Sequence, residues 1–140
     1  MNMMDPNGYC TDRLFREHCT FVNGVFVKDM GQLGRPSKDA VIIDNSPTSY
    51  MLQPEQGLPI LSWYDDPHDK ALIEYIPILI EMSKISDMRE AVTGFVRNNT
   101  YTVSHAMKVV THIRERENLE AQKKLEYERA RKQQHLLQQQ

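Results

Sequence analysis

Residues 38–50 read Lys38-Asp39-Ala40-Val41-Ile42-Ile43-Asp44-Asn45-Ser46-Pro47-Thr48-Ser49-Tyr50. Four apolar residues, three of them β-branched, stop on a carboxylate and an amide. A short, wholly apolar run is the pattern of a strand covered on both faces, and such strands belong to parallel sheets packed between helices. The chain is therefore expected to be α/β, with Ala40–Ile43 as a parallel strand. In open parallel sheets, ligands bind beyond the carboxyl ends of the strands. Asp44 and Asn45 fall there and offer the hard oxygen atoms that suit Mg2+. The same residues also make an ordinary turn, because Asp and Asn bond their own backbone and Pro47 stops a strand. The residues alone leave both readings open.

On the N-terminal side, Cys19-Thr20-Phe21-Val22 and Val25-Phe26-Val27 flank Asn23-Gly24, a strong hairpin signal. The second arm ends at Lys28. A lysine beside a carboxylate and a metal can neutralise charge that builds on a transferred phosphoryl group; a solvated lysine is the plain alternative. Asp29 to Lys38, with Gly31, Gly34 and Pro36, reads as a helical turn and loop.

On the C-terminal side, Leu58–Trp63 reads as another strand, started by Gly57. Trp63 and Tyr64 read as packing residues beside Asp65-Asp66, at the edge of any groove. Asp66 is expected to cap a helix, with Pro67 and Asp69 in its first turn. Leu72, Ile73, Ile76, Leu79 and Ile80 recur at helical spacing, and Pro77 is expected to kink or interrupt them. Asp87 opens a further helix, with Glu90 completing a capping box and Met88, Ala91, Val92 and Phe95 apolar.

From Ser104 to about Leu137 there is no Gly or Pro. If fully helical, those ~34 residues reach roughly 50 Å. Val103, Met107, Val110 and Ile113 make one stripe, which dissolves beyond Ile113. Glu120 with Lys124, and Glu128 with Lys132, are well-oriented i,i+4 pairs. A solvated single helix is the expectation, and oligomerisation through a coiled coil is the weaker alternative. The final Gln-rich residues are expected to fray. Charge divides the chain in the same way: residues 1–97 carry nine basic and fourteen acidic side chains, net −5, and residues 98–140 carry net +3.

A length of 140 residues, 40% of them hydrophobic and 26% charged, suits one globular domain with a tail. A net of +3 over the tail is too weak for a nucleic-acid partner. No apolar run approaches the ~20 residues that span a bilayer, so no membrane segment is expected. The N-terminus lacks the basic and apolar regions of a signal peptide, and the expected location is cytoplasmic or nuclear. Cys10 and Cys19 give neither a disulfide framework nor metal spacing. None of His18, His68, His105, His112 and His135 forms an i,i+4 pair, which argues against zinc.

Taken together, RLFREHCTF (13–21), GVFVKDMGQLGRP (24–36), AVIIDNSPTSY (40–50), LPILSWYDDPHDKAL (58–72) and YIPIL (75–79) resemble the FCP/SCP-type protein phosphatases. These are the small phosphatases of the RNA polymerase II C-terminal domain, within the haloacid-dehalogenase superfamily. The resemblance covers about residues 7–92 and includes Lys28 and the Asp44-Asn45 pair in matching flanks. It implies a partial haloacid-dehalogenase-like, Rossmannoid parallel sheet with flanking helices over residues 1–97, followed by a long charged helix over 98–140. It also implies Mg2+-dependent removal of phosphate from a phosphoserine or phosphothreonine protein or peptide. Lys28 stands where the family lysine contacts the phosphoryl group and pairs with the acidic site. Asp44 and Asn45 stand in the metal motif, with the Asn45 position reaching Mg2+ directly. Arg16 matches a position near the substrate-binding face; pairing with Glu17 or a surface carboxylate is the structural alternative.

The departure concerns the nucleophile. The family uses the first Asp of an Asp-x-Asp-x-Thr motif as nucleophile and the second as general acid and base. No aspartate in this sequence has another two residues on, and the phosphate-binding Thr/Ser motif is also missing. In the family both lie N-terminal to the matched region. The expectation is therefore the C-terminal half of a phosphatase domain, from a truncated gene, a split gene or a degenerate copy. Lys28, Asp44 and Asn45 would orient a metal and a phosphate without forming a phosphoenzyme, leaving the chain inactive by itself. The family's first strand would lie beside Ala40–Ile43, and without it that strand is an open edge. A non-catalytic pseudophosphatase or interaction module is the rival. It includes kinship with the mitochondrial inner-membrane translocase receptor subunit, although Asp44-Asn45-Ser46-Pro47 looks like the phosphatase branch.

Overall fold

The Asn23-Gly24 pair reverses the chain by the geometry its residue types permit. Asn23 has φ 47° and Gly24 φ 85°, as a two-residue hairpin turn of type I′ requires. In the computed structural model, which describes residues 5–97 and 102–138, the turn joins β1 (Thr20–Val22) to β2 (Val25–Val27). The two pair antiparallel with Phe21 opposite Phe26, their ring centroids 5.1 Å apart. The segment after β2 coils in 3-10 turns at Met30–Leu33 and Ser37–Asp39, as a Gly- and Pro-punctuated stretch should.

The apolar run becomes β3, but over Ile42–Asp44 rather than Ala40–Ile43. The Ala40 carbonyl accepts instead from Gln56 Nε2 at 2.9 Å, so pairing starts two residues later and Asp44 is the last strand residue. β3 pairs in parallel with β4 (Gly57–Pro59), Ile43 opposite Leu58 and Asp44 opposite Pro59. The strand expected over Leu58–Trp63 is thus one residue early at its start and ends at Pro59. The Ile60 N–H still bonds to the Asp44 carbonyl, and beyond it residues 61–70 are exposed and irregular. The fold is α/β, with two two-stranded sheets among the described residues and three helices.

Helix α1 is Ala71–Met82, starting later than the Asp66 cap implied. Asp66 Oδ1 accepts from the His68 N–H at 2.8 Å and Asp69 Oδ1 from the Ala71 N–H at 3.0 Å. Both carboxylates close local turns before the helix begins. Pro77 sits inside α1 without interrupting it. It leaves the Ile73 carbonyl without a helical partner, but Ile73 and Pro77 are both exposed, where water can replace that bond.

Helix α2 is Met88–Arg97. Asp87 Oδ1 accepts from the Arg89 N–H at 3.0 Å, as a cap should. Glu90 does not show the reciprocal half of the box; Arg116 Nη2 donates to its carboxylate at 2.5 Å. Helix α3 spans Val103–Gln138. Its Ala106, Val110 and Ile113 are buried with Ile78 and Met82 of α1, Ala91, Val92 and Phe95 of α2, and Leu58 of β4. One turn later α3 is pinned by Arg114 Nη1 to Glu81 (2.7 Å) and Ser86 Oγ to Glu117 (2.6 Å); beyond that turn the described side chains are exposed. The boundary placed between residues 97 and 98 abuts residues 98–101, and the last two of the terminal residues expected to fray are 139–140; both lie outside the described residues. No described helix is long and apolar enough to cross a membrane.

Among the described residues, nothing covers one face of α1. Ile78 and Met82 are buried, while Leu72, Ile73, Ile76 and Ile80 are each more than half exposed. Apart from the side that carries Glu74 and Glu81, α1 is apolar all round, and such breadth is normally found in helices with neighbours on more than one side.

Candidate active site

Two short strands bring the sequence's charged candidates together. β2 ends at Val27, and the backbone N–H of the next residue, Lys28, donates to the Ser49 carbonyl at 2.7 Å. This tethers the hairpin to the 3-10 turn Pro47–Tyr50 that follows β3. Asp44, at the end of β3, then lies within reach of the Lys28 side chain: Nζ to Oδ2 is 2.5 Å. The Asp44 side chain is 4% exposed and that of Lys28 53%. The carboxylate is thus buried and the ammonium sits at the surface, with room for a second anion beside it.

The other Asp44 oxygen, Oδ1, accepts from the Ser46 N–H at 2.8 Å, the Asx turn that Asp-Asn-Ser-Pro permits. Turn and charged site are therefore the same structure. Burial by itself raises the Asp44 pKa; the Lys28 hydrogen bond, the Ser46 N–H, the Lys28 charge and the Ser49 hydroxyl outweigh it and hold the pKa below the ordinary value of 3.8. Asp44 is ionised at neutral pH and fixes the lysine.

Asn45 projects to the surface, and its Nδ2 donates to Ser62 Oγ at 2.8 Å. The parallel register explains this meeting. The Ile60 N–H bonds to the Asp44 carbonyl at 3.2 Å, so the chains leaving β3 and β4 run on side by side. Lys28, Asp44, Asn45 and Ser62 line one open cleft of about 780 Å³, walled by Trp63 and the first turn of α1. Trp63 Nε1 donates to the Asp66 carbonyl at 2.7 Å and holds that wall.

Arg16 is elsewhere. Its guanidinium lies 4.1 Å from the centroid of the Phe26 ring, a cation–π contact. Among the described residues it pairs with no carboxylate, which replaces the pairing considered from sequence. It lines a second groove, of about 850 Å³, that Lys28 also borders.

The donor set for Mg2+ is right in kind and short in number. Asn45 Oδ1 is a hard oxygen with no partner among the described residues, whereas both Asp44 oxygens already accept hydrogen bonds. Octahedral Mg2+ takes six oxygens. Among the described residues, no three His, Cys, Asp or Glu side chains gather as a metal site. Ser46, Ser49 and Ser62 were not singled out from sequence. Ser46 follows from Asx-turn chemistry, but Ser49 and Ser62 become visible only once the strand register is known.

Residues 1–89 match the family model described as NLI interacting factor-like phosphatase. The chain is 44% identical over 89 residues to the CTD small phosphatase-like protein 2 of Dictyostelium discoideum, covering 64% of this chain and 16% of that protein. It is 44% identical over 87 residues to the human carboxy-terminal domain RNA polymerase II polypeptide A small phosphatase 2, covering 62% of this chain and 32% of that protein. With Phosphatase PSR1 of Saccharomyces cerevisiae it shares 41% identity over 83 residues, covering 59% of this chain and 19% of that protein. The matched region spans under a third of the length of each of these relatives.

Proposed function

The chain belongs to the NLI interacting factor-like phosphatase family, and from that membership we propose that it carries the phosphoryl-holding half of a Mg2+-dependent protein serine/threonine phosphatase site. The observation that carries the reading is the 2.5 Å contact between Lys28 Nζ and Asp44 Oδ2 in an open cleft. A buried carboxylate anchors a half-exposed ammonium, and that ammonium is free on its outer side to neutralise a phosphoryl oxygen. Asn45, with Asp44 behind it, would hold Mg2+, which supplies further neutralisation of the phosphoryl charge when bound. The substrate class is a phosphoprotein or phosphopeptide. Arg16, on the groove that Lys28 borders, would touch the chain flanking the phosphorylated residue.

These residues bind and orient; none of them attacks. The 140 residues contain no Asp-x-Asp pair, so a phosphoenzyme would need an aspartate supplied from other residues. Loss of the nucleophile from a cooperating set removes most of the rate. With Mg2+ and an aryl phosphate or a phosphoserine peptide, the chain should show no turnover above solvent. Joined to, or mixed with, a family segment bearing Asp-x-Asp-x-Thr, it should gain turnover that Lys28→Ala and Asp44→Asn each abolish. Turnover by the chain alone that disappears in Asp44→Asn would refute the requirement for an outside nucleophile. Turnover in the joined protein that survives Lys28→Ala would refute the role given to Lys28. Failure of any joined protein to turn over, with phosphopeptide binding retained, would favour the non-catalytic interaction module.

A further inference from the structure

We propose that the uncovered face of α1 is a self-association surface: α1 packs antiparallel against α1 of a second copy of this chain, about a two-fold axis. Ile73, Ile76 and Ile80 recur at steps of three and four, with Pro77 beside them, so they share one stripe of the helix. All four are exposed. The polar side of α1, with Glu74 and Glu81, lies next to this stripe. Arg114 of α3 reaches Glu81 at 2.7 Å, so α3 lies on that side and leaves the stripe open. Isoleucines at steps of three and then four form the seam by which one helix meets another.

Charge and area identify the occupant as a second copy. Asp69 precedes Ile73 by one turn and Lys84 follows Ile80 by one turn, and both are exposed. An antiparallel pair centred between Ile76 and Pro77 sets Ile73 against Ile80 of the second copy and Asp69 against its Lys84. Two-fold symmetry makes each contact twice. A parallel pair would set like charge on like charge. Both groups have capacity to spare. Lys84 pairs with Glu81, but an ammonium carries three donors; Asp69 holds the Ala71 N–H through Oδ1. Leu72 and the exposed Leu61 and Trp63 lie beside Ile73 on the wall of the Lys28–Asp44 cleft. Over both copies these side chains offer on the order of 1,000 Å² of apolar surface, about the least that a specific interface needs. The dimer therefore belongs to the micromolar range. Asp69 lines the same cleft, so Lys84 of the second copy brings a cation to its wall.

The test is sedimentation velocity on the whole 140-residue chain over roughly 1–300 μM. The wild type should pass from monomer to dimer within that range and go no further. Ile73→Lys with Ile76→Lys should stay monomeric throughout. Asp69→Lys and Lys84→Asp should each raise the midpoint about tenfold, since each turns two attractions into two repulsions. Asp69→Asn, which keeps the oxygen that holds the Ala71 N–H, should raise it about threefold. An equimolar mixture of Asp69→Lys and Lys84→Asp restores opposite signs at both contacts and should dimerise within about twofold of wild type. A wild type that stays monomeric to the top of the range overturns the proposal and leaves the face to a different partner. A dimer that persists in Ile73→Lys with Ile76→Lys overturns it in favour of the α3 tail. A mixture no tighter than its components, with the helical circular dichroism of both variants intact, overturns the antiparallel register.

Discussion

Asp44 is where turn chemistry and site chemistry coincide, and pH separates its two roles. Its folded pKa is lowered from 3.8 because Lys28, the Ser46 N–H and Ser49 outweigh burial. A depressed carboxyl pKa contributes stability that is present above the unfolded value and is lost as pH falls through the folded one. Lys28→Met leaves the burial and removes the cation, so the Asp44 pKa should rise and that acid-side loss of stability should disappear. At neutral pH the variant should be destabilised by about 1–3 kcal/mol, the cost of leaving a buried acceptor short of a partner. The larger cost of breaking a fully buried ion pair does not apply, because the Lys28 side chain is half exposed. Carboxyl-detected NMR titration of Asp44, with urea unfolding at pH 3 and pH 7, checks both parts; an unmoved Asp44 pKa would show that Lys28 is not the dominant partner. None of this followed from residues 38–50 alone, which left a plain turn and a charged site both open. The resemblance joined Lys28 to Asp44, and only the register of β3 on β4 joined Ser62 to Asn45.

Among the elements, the close approach of α2 and α3 depends on one missing side chain. A Cβ built on Gly94 would stand 2.5 Å from Val109 Cγ1, closer than two carbons can come without a shift. Gly94→Ala gains helix propensity of up to about 1 kcal/mol, yet overpacking costs about 1–3 kcal/mol, so net destabilisation is expected. Val109→Ala removes the clashing methyl. The double variant should therefore be more stable than the sum of the single changes predicts, a coupling of about 1 kcal/mol or more by thermal or urea unfolding. Additive effects would mean that the helices slide apart rather than clash. Such contacts mark the limit of reading elements from sequence. Asn23-Gly24 was legible because a hairpin turn is written in adjacent residues. The starts of β3 and α1 were not, since Asp66 and Asp69 close local turns with the same chemistry that caps a helix. Glu90 was read as half of a capping box, but its ion-pair partner, Arg116, is contributed by α3, 26 residues later.

For the whole molecule, burial is lopsided. Leu58, Met82, Val92 and Val110 are fully buried on the side where α1, α2 and α3 meet. On its other face, α1 exposes Leu72, Ile73, Ile76 and Ile80, and β3 is hydrogen-bonded to β4 along one edge only among the described residues. Burying a large aliphatic side chain is worth about 1.5–3 kcal/mol, so this face stores binding energy that the described residues do not use. Contiguous apolar surface of this kind binds hydrophobic dyes and promotes self-association. Anilinonaphthalene sulfonate should therefore fluoresce strongly with the folded chain, and light scattering should rise with concentration. Dye binding is also the mark of a loosely packed state, so the origin must be isolated. Ile73→Lys with Ile76→Lys should reduce the dye signal by roughly half or more while leaving helical circular dichroism and cooperative thermal unfolding intact, because both side chains point away from the Ile78–Met82 side. If the double variant keeps the full signal, the dye is reading a poorly packed interior, and the uncovered face of α1 is not the molecule's principal sticky surface.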